Sequence, residues 1–196
     1  PYNIKRSKNN KYNKYEYFDD GIDNYLDWSI KIIDELLRVT KNHVFWNIQA
    51  NYYNKKEVFK LFRHYADKIQ QNIIWHKTNA APSSQKYYLT NAVEYIIAFT
   101  NQKNIKTNKV FLKNYIETPI NSKRIKGHSA IMNIEVADYI IKNFTQENEI
   151  ILDPFMGSGT TGISCLQNNR TFIGIEIAKE YYDYAKNRIE NLQNDN

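Results

Sequence analysis

The chain has 196 residues, and with 42% of them hydrophobic it can form one compact domain with a core. Lysine and arginine number 27 against 21 acidic residues, so the formal net charge of +6 favours a polyanionic partner without requiring one. Cys165 is the single cysteine, which excludes an internal disulfide, and neither zinc-ligand spacing nor an apolar run of about 18 residues is present, so we expect a cytoplasmic protein with no membrane span and no metal.

The first part of the chain alternates helix and strand patterns. Residues 23–39 carry apolar side chains at three- and four-residue spacing, which predicts a helix with one buried face. The stretch HVFWNI, residues 43–48, is β-branched and aromatic and predicts a strand, whereas residues 55–68 again have a helical period. Two more strands are predicted at residues 72–77 and 92–100, on either side of a loop rich in Asn, Pro and Ser.

The most basic segment follows, at residues 101–126, where Glu117 is the only acidic residue. A run of lysines in such a segment predicts either contacts to nucleic acid phosphates or simply a solvated surface.

The last part of the chain predicts a strand, a glycine turn, a helix, a second strand and a final helix. A helix over residues 135–143 precedes the strand EIILDPF, which runs into MGSGTTG. The strand RTFIGIEI and the helix AKEYYDYAKNRIENL complete the series. Alternation of strands with helices predicts an α/β fold with a mostly parallel sheet.

The glycine turn predicts a ligand site. Gly157 and Gly159 allow a sharp turn and a close approach of the backbone to a ligand. Glu176, at the end of the second strand, is at the spacing of an acid that binds ribose hydroxyls, and Asp153 ends the first strand. The turn lacks the Lys-Ser/Thr ending of a nucleotide phosphate loop. A loose dinucleotide site, a site for S-adenosylmethionine and a tight connection without function remain as alternatives.

The segments DPFMGSGTTG and RTFIGIEIAKEYYDYAKNRI closely resemble the cofactor motifs of DNA amino-methyltransferases, which methylate N6 of adenine or N4 of cytosine. The resemblance extends upstream through NIIWHKTNAAPSS and NAVEYIIAFTN, so that it covers essentially the whole chain. It implies a Rossmann-like methyltransferase sandwich that binds S-adenosylmethionine. The residues that it assigns to the cofactor are Asp153, Phe155, Gly157, Ser158, Gly159, Thr160, Glu176, His128 and Ser129. Family members often have Gln-Lys-Pro and further prolines where this chain has Ser129, Ile131 and Asn133.

The opening residues PYNI resemble the end of the family's catalytic motif, which is Asp, Asn or Ser followed by Pro-Pro-Tyr. The resemblance assigns Pro1 and Tyr2 to catalysis and places the first residues of the motif, with strands on the N-terminal side of the sheet, outside the chain. Tyr2 would stack on a base extruded from the duplex. The extrusion costs a few kcal/mol, which contacts to the base must offset.

The resemblance also implies double-stranded DNA as the substrate of a cytoplasmic protein that a prokaryote or a phage encodes. A cognate restriction endonuclease and a second copy of the chain are optional partners. We expect one domain over residues 1–196, with a catalytic half at 1–100, a target-recognition insertion at 101–126 and a cofactor half at 127–196. The candidate DNA contacts are Lys5, Arg6, Lys8, Lys109, Lys113, Lys123, Arg124 and Lys126.

Two other functions remain in view. The chain could instead be an inactive fragment or a DNA-binding subunit derived from the same family. A related enzyme could also methylate an amide in a protein or RNA, although the order of the catalytic and cofactor motifs argues against it. Within the leading hypothesis, the Asn-Ile that follows Pro1-Tyr2 favours adenine N6 over cytosine N4.

Overall fold

A computed structural model describes residues 22–51, 54–83, 86–87, 89–103, 107–120 and 131–194, and these form two compact units. The first unit contains α1 (Tyr25–Val39), β1 (Val44–Ile48), α2 (Lys55–His64), β2 (Ile69–Lys77), β3 (Val93–Phe99) and β4 (Tyr115–Thr118). The second unit contains α3 (Ile134–Phe144), β5 (Ile150–Asp153), α4 (Thr160–Gln167), β6 (Thr171–Gly174) and α5 (Lys179–Asn194).

The sheet of the first unit has the strand order β1-β3-β2-β4. β3 is antiparallel to both β1 and β2, whereas β2 and β4 are parallel. β1, β2 and β4 therefore point in the same direction and β3 runs opposite to them, so this sheet is mixed rather than mostly parallel. Their carboxyl ends lie at one edge of the sheet, which we call the carboxyl edge, defined by Ile48, Lys77 and Thr118.

The core of the first unit lies between its helices and the sheet. Ile33 of α1 and Val58 of α2 are fully buried beside Ile48 and Phe99 of the sheet. Burying an aliphatic side chain of this size contributes about 1.5–3 kcal/mol, so one apolar stripe on each helix is sufficient to hold it on the sheet. The Tyr65 hydroxyl, just after α2, donates to the carboxylate of Asp34 at 2.8 Å and so ties the end of α2 to α1.

α2 ends four residues before the predicted end at residue 68. After α2, the carbonyl of Tyr65 accepts hydrogen bonds from the amides of Lys68 and Ile69, each at 2.9 Å, and these bonds form a turn over residues 65–69. This turn directs the chain into β2, which begins at Ile69. Of residues 65–68 only Tyr65 is buried, so the apolar face of the helix ends with it.

β4 was not predicted, because it is only four residues long and lies in the basic segment 101–126. Its pairing with β2 brings Trp75 opposite Ile116, and both are buried. Residues 115–118 of this segment are thus part of the sheet of the first unit.

In the second unit, β5 and β6 form a parallel pair, and Asp153 lies opposite Gly174 at their carboxyl ends. The chain enters α3 through Asn133, whose side chain accepts a hydrogen bond from the amide of Glu135 at 3.0 Å and caps the helix. α3 packs on α4, and α4 packs on α5. Across the described ranges, no helix has the length and apolar character needed to cross a membrane.

Candidate cofactor site

The candidate site is the turn between β5 and α4, residues 153–159. The amide of Met156 donates to the carbonyl of Ile175 at 3.0 Å, and the amide of Ile175 donates to the carbonyl of Asp153 at 2.9 Å. These bonds attach the turn to the segment that follows β6. Open α/β sheets bind ligands outside the carboxyl ends of their parallel strands, which is where this turn lies.

Two glycines allow the turn its shape. Gly157 has φ 51° and Gly159 has φ 77°, in the left-handed region that side chains disfavour. A Cβ on Gly159 would also lie 3.0 Å from the Cβ of Ala185 and 3.2 Å from a methyl of Ile189, both on α5. The turn therefore packs directly against α5, and a larger residue at position 159 would disturb both.

Glu176 reaches back to the glycine turn. Its Oε2 accepts a hydrogen bond from the amide of Gly157 at 3.0 Å, and its Oε1 accepts one from the amide of Ala178 at 2.9 Å. The structure thus brings together the acid and the glycine that sequence spacing associates. Each carboxylate oxygen has a further lone pair, so Glu176 can accept hydrogen bonds from ligand hydroxyls while it holds the turn.

Asp153 provides the second carboxylate. Its Oδ1 accepts a hydrogen bond from the amide of Phe155 at 3.0 Å. Burial raises the pKa of the Asp153 carboxyl above its ordinary value, and the negative charge of Glu176 acts in the same direction. A cation next to Asp153 would stabilise its ionised form, because the cation would offset both the desolvation of the carboxylate and the repulsion from Glu176.

The other cofactor candidates of the turn differ in how exposed their side chains are to a ligand. The Phe155 ring is 39% exposed and can contact a ligand directly. Ser158 and Thr160 are buried, and their hydroxyl oxygens lie 3.3 Å apart. Their side chains stabilise the turn, so a ligand would meet their backbone rather than their hydroxyls.

Arg188 on α5 was not predicted as part of the site. Its Nη1 donates to the carbonyl of Ser158 at 2.6 Å, and its guanidinium lies 5.7 Å from the centroid of the Tyr184 ring. The arginine therefore holds the glycine turn from the side of α5. No spacing rule connects it to the motif; the only sequence signal is a lone arginine on the helix that follows Glu176.

Many predicted site residues lie outside the described part of the chain: Pro1, Tyr2, Lys5, Arg6, Lys8, Lys123, Arg124, Lys126, His128 and Ser129. Their assignments stay predictions.

Lys109 is described, and it lies far along the unit from the glycine turn. The side chain of the preceding residue, Asn108, donates to the carbonyls of Lys142 at 2.8 Å and Thr145 at 2.7 Å, at the carboxyl end of α3. That end of α3 leads into the start of β5, whereas the glycine turn follows the end of β5. Lys113 comes just before β4, at the end of the first sheet opposite its carboxyl edge. These positions do not support either lysine as a contact close to the site of reaction.

Comparison with known proteins identifies relatives along nearly the whole chain. A family model described as DNA methylase matches residues 1–187. The type II methyltransferase M2.DpnII of Streptococcus pneumoniae is 29% identical over 178 residues, which are 82% of this chain and 65% of that protein. M.Cfr9I of Citrobacter freundii, also a type II methyltransferase, is 32% identical over 133 residues, 62% of this chain and 44% of that protein. The chain spans about half the length of the curated relatives it matches.

Solved structures agree with this result. A structure of the M1.HpyAVI–SAM complex is 27% identical with a TM-score of 0.62, covering 84% of this chain and 81% of that chain. The cytosine-N4-specific PvuII DNA methyltransferase has a TM-score of 0.75 at 16% identity and covers 90% of this chain and 75% of that chain. At 16% identity the likeness concerns the fold alone, and it confirms the predicted Rossmann-like α/β fold class.

Proposed function

The chain belongs to the DNA methylase family, and from this membership we infer that it transfers a methyl group from S-adenosylmethionine to an exocyclic amine of DNA. We propose adenine N6 rather than cytosine N4, on the resemblance of PYNI to catalytic motifs that begin with aspartate. The observation that carries the proposal is the bond between Glu176 and the amide of Gly157, which places a carboxylate on a glycine turn at the carboxyl ends of β5 and β6.

The residues of the turn fit this cofactor by their charge. S-adenosylmethionine supplies a methyl group on a positively charged sulfur, and it carries an α-amino group, a ribose and no phosphate. Glu176 is suited to the ribose hydroxyls and Asp153 to the cationic end. Arg170 is the only lysine or arginine in residues 150–178, and its guanidinium binds the carbonyl of Thr145 at 2.6 Å, near the start of β6. The cation that does lie at the turn, Arg188 of α5, donates to the carbonyl of Ser158.

The catalytic end of the proposal concerns Pro1 and Tyr2. The amine of a base is a poor nucleophile, because its lone pair is delocalised into the ring. In the motif that these residues resemble, a side-chain oxygen and a proline carbonyl accept the two amine hydrogens and direct the lone pair towards the methyl group. Tyr2 would stack on the extruded base. As the new N–CH₃ bond formed, the S–CH₃ bond of the cofactor would break and leave a neutral thioether, and the amine would release one proton to water.

The test is methyl transfer by the full-length protein that contains this chain. DNA free of modified bases is incubated with S-adenosylmethionine labelled in its methyl group, and the nucleosides are then analysed. We expect labelled N6-methyladenine, and labelled N4-methylcytosine would move the proposal to the second base. Glu176→Ala should abolish the signal, whereas Glu190→Gln, which alters an exposed pair with Lys186 on α5, should not.

Failure of the test would also be informative. If neither N6-methyladenine nor N4-methylcytosine is detected, the proposal is overturned. If the protein then bound DNA but not the cofactor, a DNA-binding subunit or inactive family member would take its place. Label found only in RNA or protein would support an enzyme that methylates an amide.

The proposal extends to the setting of the enzyme. We propose that one domain over residues 1–196 acts on double-stranded DNA in a prokaryotic or phage-infected cytoplasm. A cognate restriction endonuclease and a homodimer are further partners that purification from the native host would identify.

A further inference from the structure

Two apolar side chains project from the loop that joins β2 to β3, residues 78–92. Tyr87 is 94% exposed and Leu89 is 95% exposed. Single exposed apolar residues are common on protein surfaces and need no explanation by themselves. What distinguishes this pair is where the loop lies and how its ends are held.

The ends of the loop are tied to all three strands that define the carboxyl edge. The amide of Lys77, at the end of β2, donates to the carbonyl of Ala92 at 2.7 Å and closes the loop. The amide of Thr78 donates to the carbonyl of Thr118 in β4 at 3.1 Å. The side chain of Asn91 donates to the carbonyl of Ala50, just after β1, at 3.4 Å. The loop therefore rises from the edge at which open α/β sheets bind their ligands.

Buried contacts hold the stem of the loop. Lys77 and Glu94 form an ion pair whose side chains are only 12% and 8% exposed, and Glu94 also accepts a hydrogen bond from Asn47 at 2.8 Å. The ammonium of Lys77 lies 5.2 Å from the centroid of the Trp75 ring. Further out, the amide of Ser83 donates to the hydroxyl of Thr90 at 3.1 Å, across the loop. A tip carried on a fixed stem loses little additional freedom when it binds.

A second exposed aromatic shows that exposure alone does not select the pair. Phe111 is 98% exposed, but it follows β3, whose last residue, Phe99, pairs with Val44 at the start of β1. Phe111 is also preceded by the segment that binds the carboxyl end of α3, where the amide of Asn108 donates to the carbonyl of Asn143 at 2.8 Å. Phe111 thus belongs to the second unit, whereas the β2–β3 loop belongs to the first.

Building on the proposed function, we propose that Leu89, with Tyr87 close to it in the chain, enters the DNA duplex and fills the stacking space left by the extruded base. Extrusion costs a few kcal/mol in lost pairing and stacking, and an apolar wedge between base steps offsets part of that cost. Lys86 is exposed at the same tip and can reach a phosphate beside the gap.

The test separates insertion from chemistry by changing the cost of extrusion. The methylation site is first located by sequencing modified bases in DNA treated with the full-length wild-type protein. Two duplexes then carry that site, one with the target base paired and one with it opposite an abasic position, where extrusion breaks no base pair. We expect Leu89→Ala to lower kcat/KM about tenfold on the paired duplex and less than twofold on the other. Fluorescence of 2-aminopurine at the target position should show correspondingly less extrusion.

Controls use the same two duplexes. Leu89→Met keeps an apolar side chain of similar length and should retain activity, whereas Phe111→Ala removes an equally exposed ring and should change neither rate. Equal losses on the two duplexes, or no loss on either, would overturn the proposal. Absence of any methyl transfer by the wild-type protein would instead reject the proposed function on which it rests.

Discussion

The two carboxylates of the glycine turn have different environments, and this difference bears on their roles. Glu176 is held by two backbone amides, those of Gly157 and Ala178, which stabilise its negative charge. Asp153 receives one backbone amide and is half-buried, and desolvation raises its pKa. The spacing of both acids from the glycines could be seen in the sequence, because motif spacing reflects the length of one strand-turn-helix-strand unit. The hydrogen bonding and burial of the two acids could not be seen in the sequence, because both depend on how the turn folds back onto Ile175.

The raised pKa of Asp153 predicts a pH dependence of cofactor binding. An ionised Asp153 attracts the cationic end of the cofactor, and its charge is lost as pH falls through a pKa above the ordinary aspartate value. We expect the affinity for S-adenosylmethionine to be constant above that pKa and to weaken as pH falls through it, measured by titration calorimetry. Asp153→Asn should weaken binding about tenfold at pH 7.5 and remove the pH dependence.

The same substitution should have the opposite effect on stability without cofactor. A carboxyl whose folded pKa is raised destabilises the fold where it is ionised, so the free energy of unfolding rises as pH falls between the folded and the unfolded pKa. Asp153→Asn should therefore raise the melting temperature at pH 7.5. An unchanged pH profile of binding in this variant would contradict the role assigned to Asp153.

Arg188 is predicted to position the glycine turn. Arg188→Gln loses the charged hydrogen bond to the carbonyl of Ser158, so the turn loses its support from α5. We expect about a tenfold higher KM for S-adenosylmethionine with kcat changed less than twofold, and partial recovery in Arg188→Lys. Lys186→Gln alters the exposed pair with Glu190 on the same helix and serves as the control. A lower melting temperature with an unchanged KM would show that Arg188 acts on stability alone.

At the scale of secondary structure, the elements with long periodic patterns were predicted well, whereas the four-residue strand β4 was not. α1, with Ile33 and Leu37 on one buried face, was predicted within two residues of its observed bounds. β4 was missed, because a strand of four residues has too little pattern to stand out among lysines. Its place in the sheet is decided by a partner 41 residues away, since Trp75 pairs with Ile116.

The ion pair between Lys77 and Glu94 could not be predicted either, because neither residue is unusual where it stands in its strand. Its burial predicts a large effect on stability. Lys77→Met should lower the free energy of unfolding by about 3–5 kcal/mol, since it leaves the charge of Glu94 buried without its partner. Lys77→Met combined with Glu94→Gln should recover most of the loss.

Urea denaturation of the three variants measures this effect. Glu35→Gln, which breaks the exposed pair with Arg38 in α1, is the matched control and should unfold like the wild type. Equal stability of Lys77→Met and the wild type would show that the pair contributes little to the stem of the β2–β3 loop.

For the whole molecule, the main question is which part of the net charge of +6 meets DNA. The sequence predicts one target-recognition insertion at residues 101–126, but the described residues of this segment belong to both units. Lys109 adjoins the carboxyl end of α3, and Lys113 precedes a strand of the first sheet. Composition identifies a basic segment, whereas only the fold shows that Lys109 belongs to the second unit and Lys113 to the first.

The salt dependence of DNA binding can therefore assign the charges. Each phosphate contact that is lost reduces the slope of log K against log salt concentration by about 0.9. Replacement of Lys123, Arg124 and Lys126 by glutamine should lower the slope by about 2.7 if all three contact phosphates, as the proposal for this segment requires. Lys109→Gln with Lys113→Gln should leave the slope unchanged, because the fold places both away from the carboxyl ends of the strands. A lower slope for the second variant and not the first would reverse this assignment, and fluorescence anisotropy between 50 and 200 mM salt distinguishes the two results.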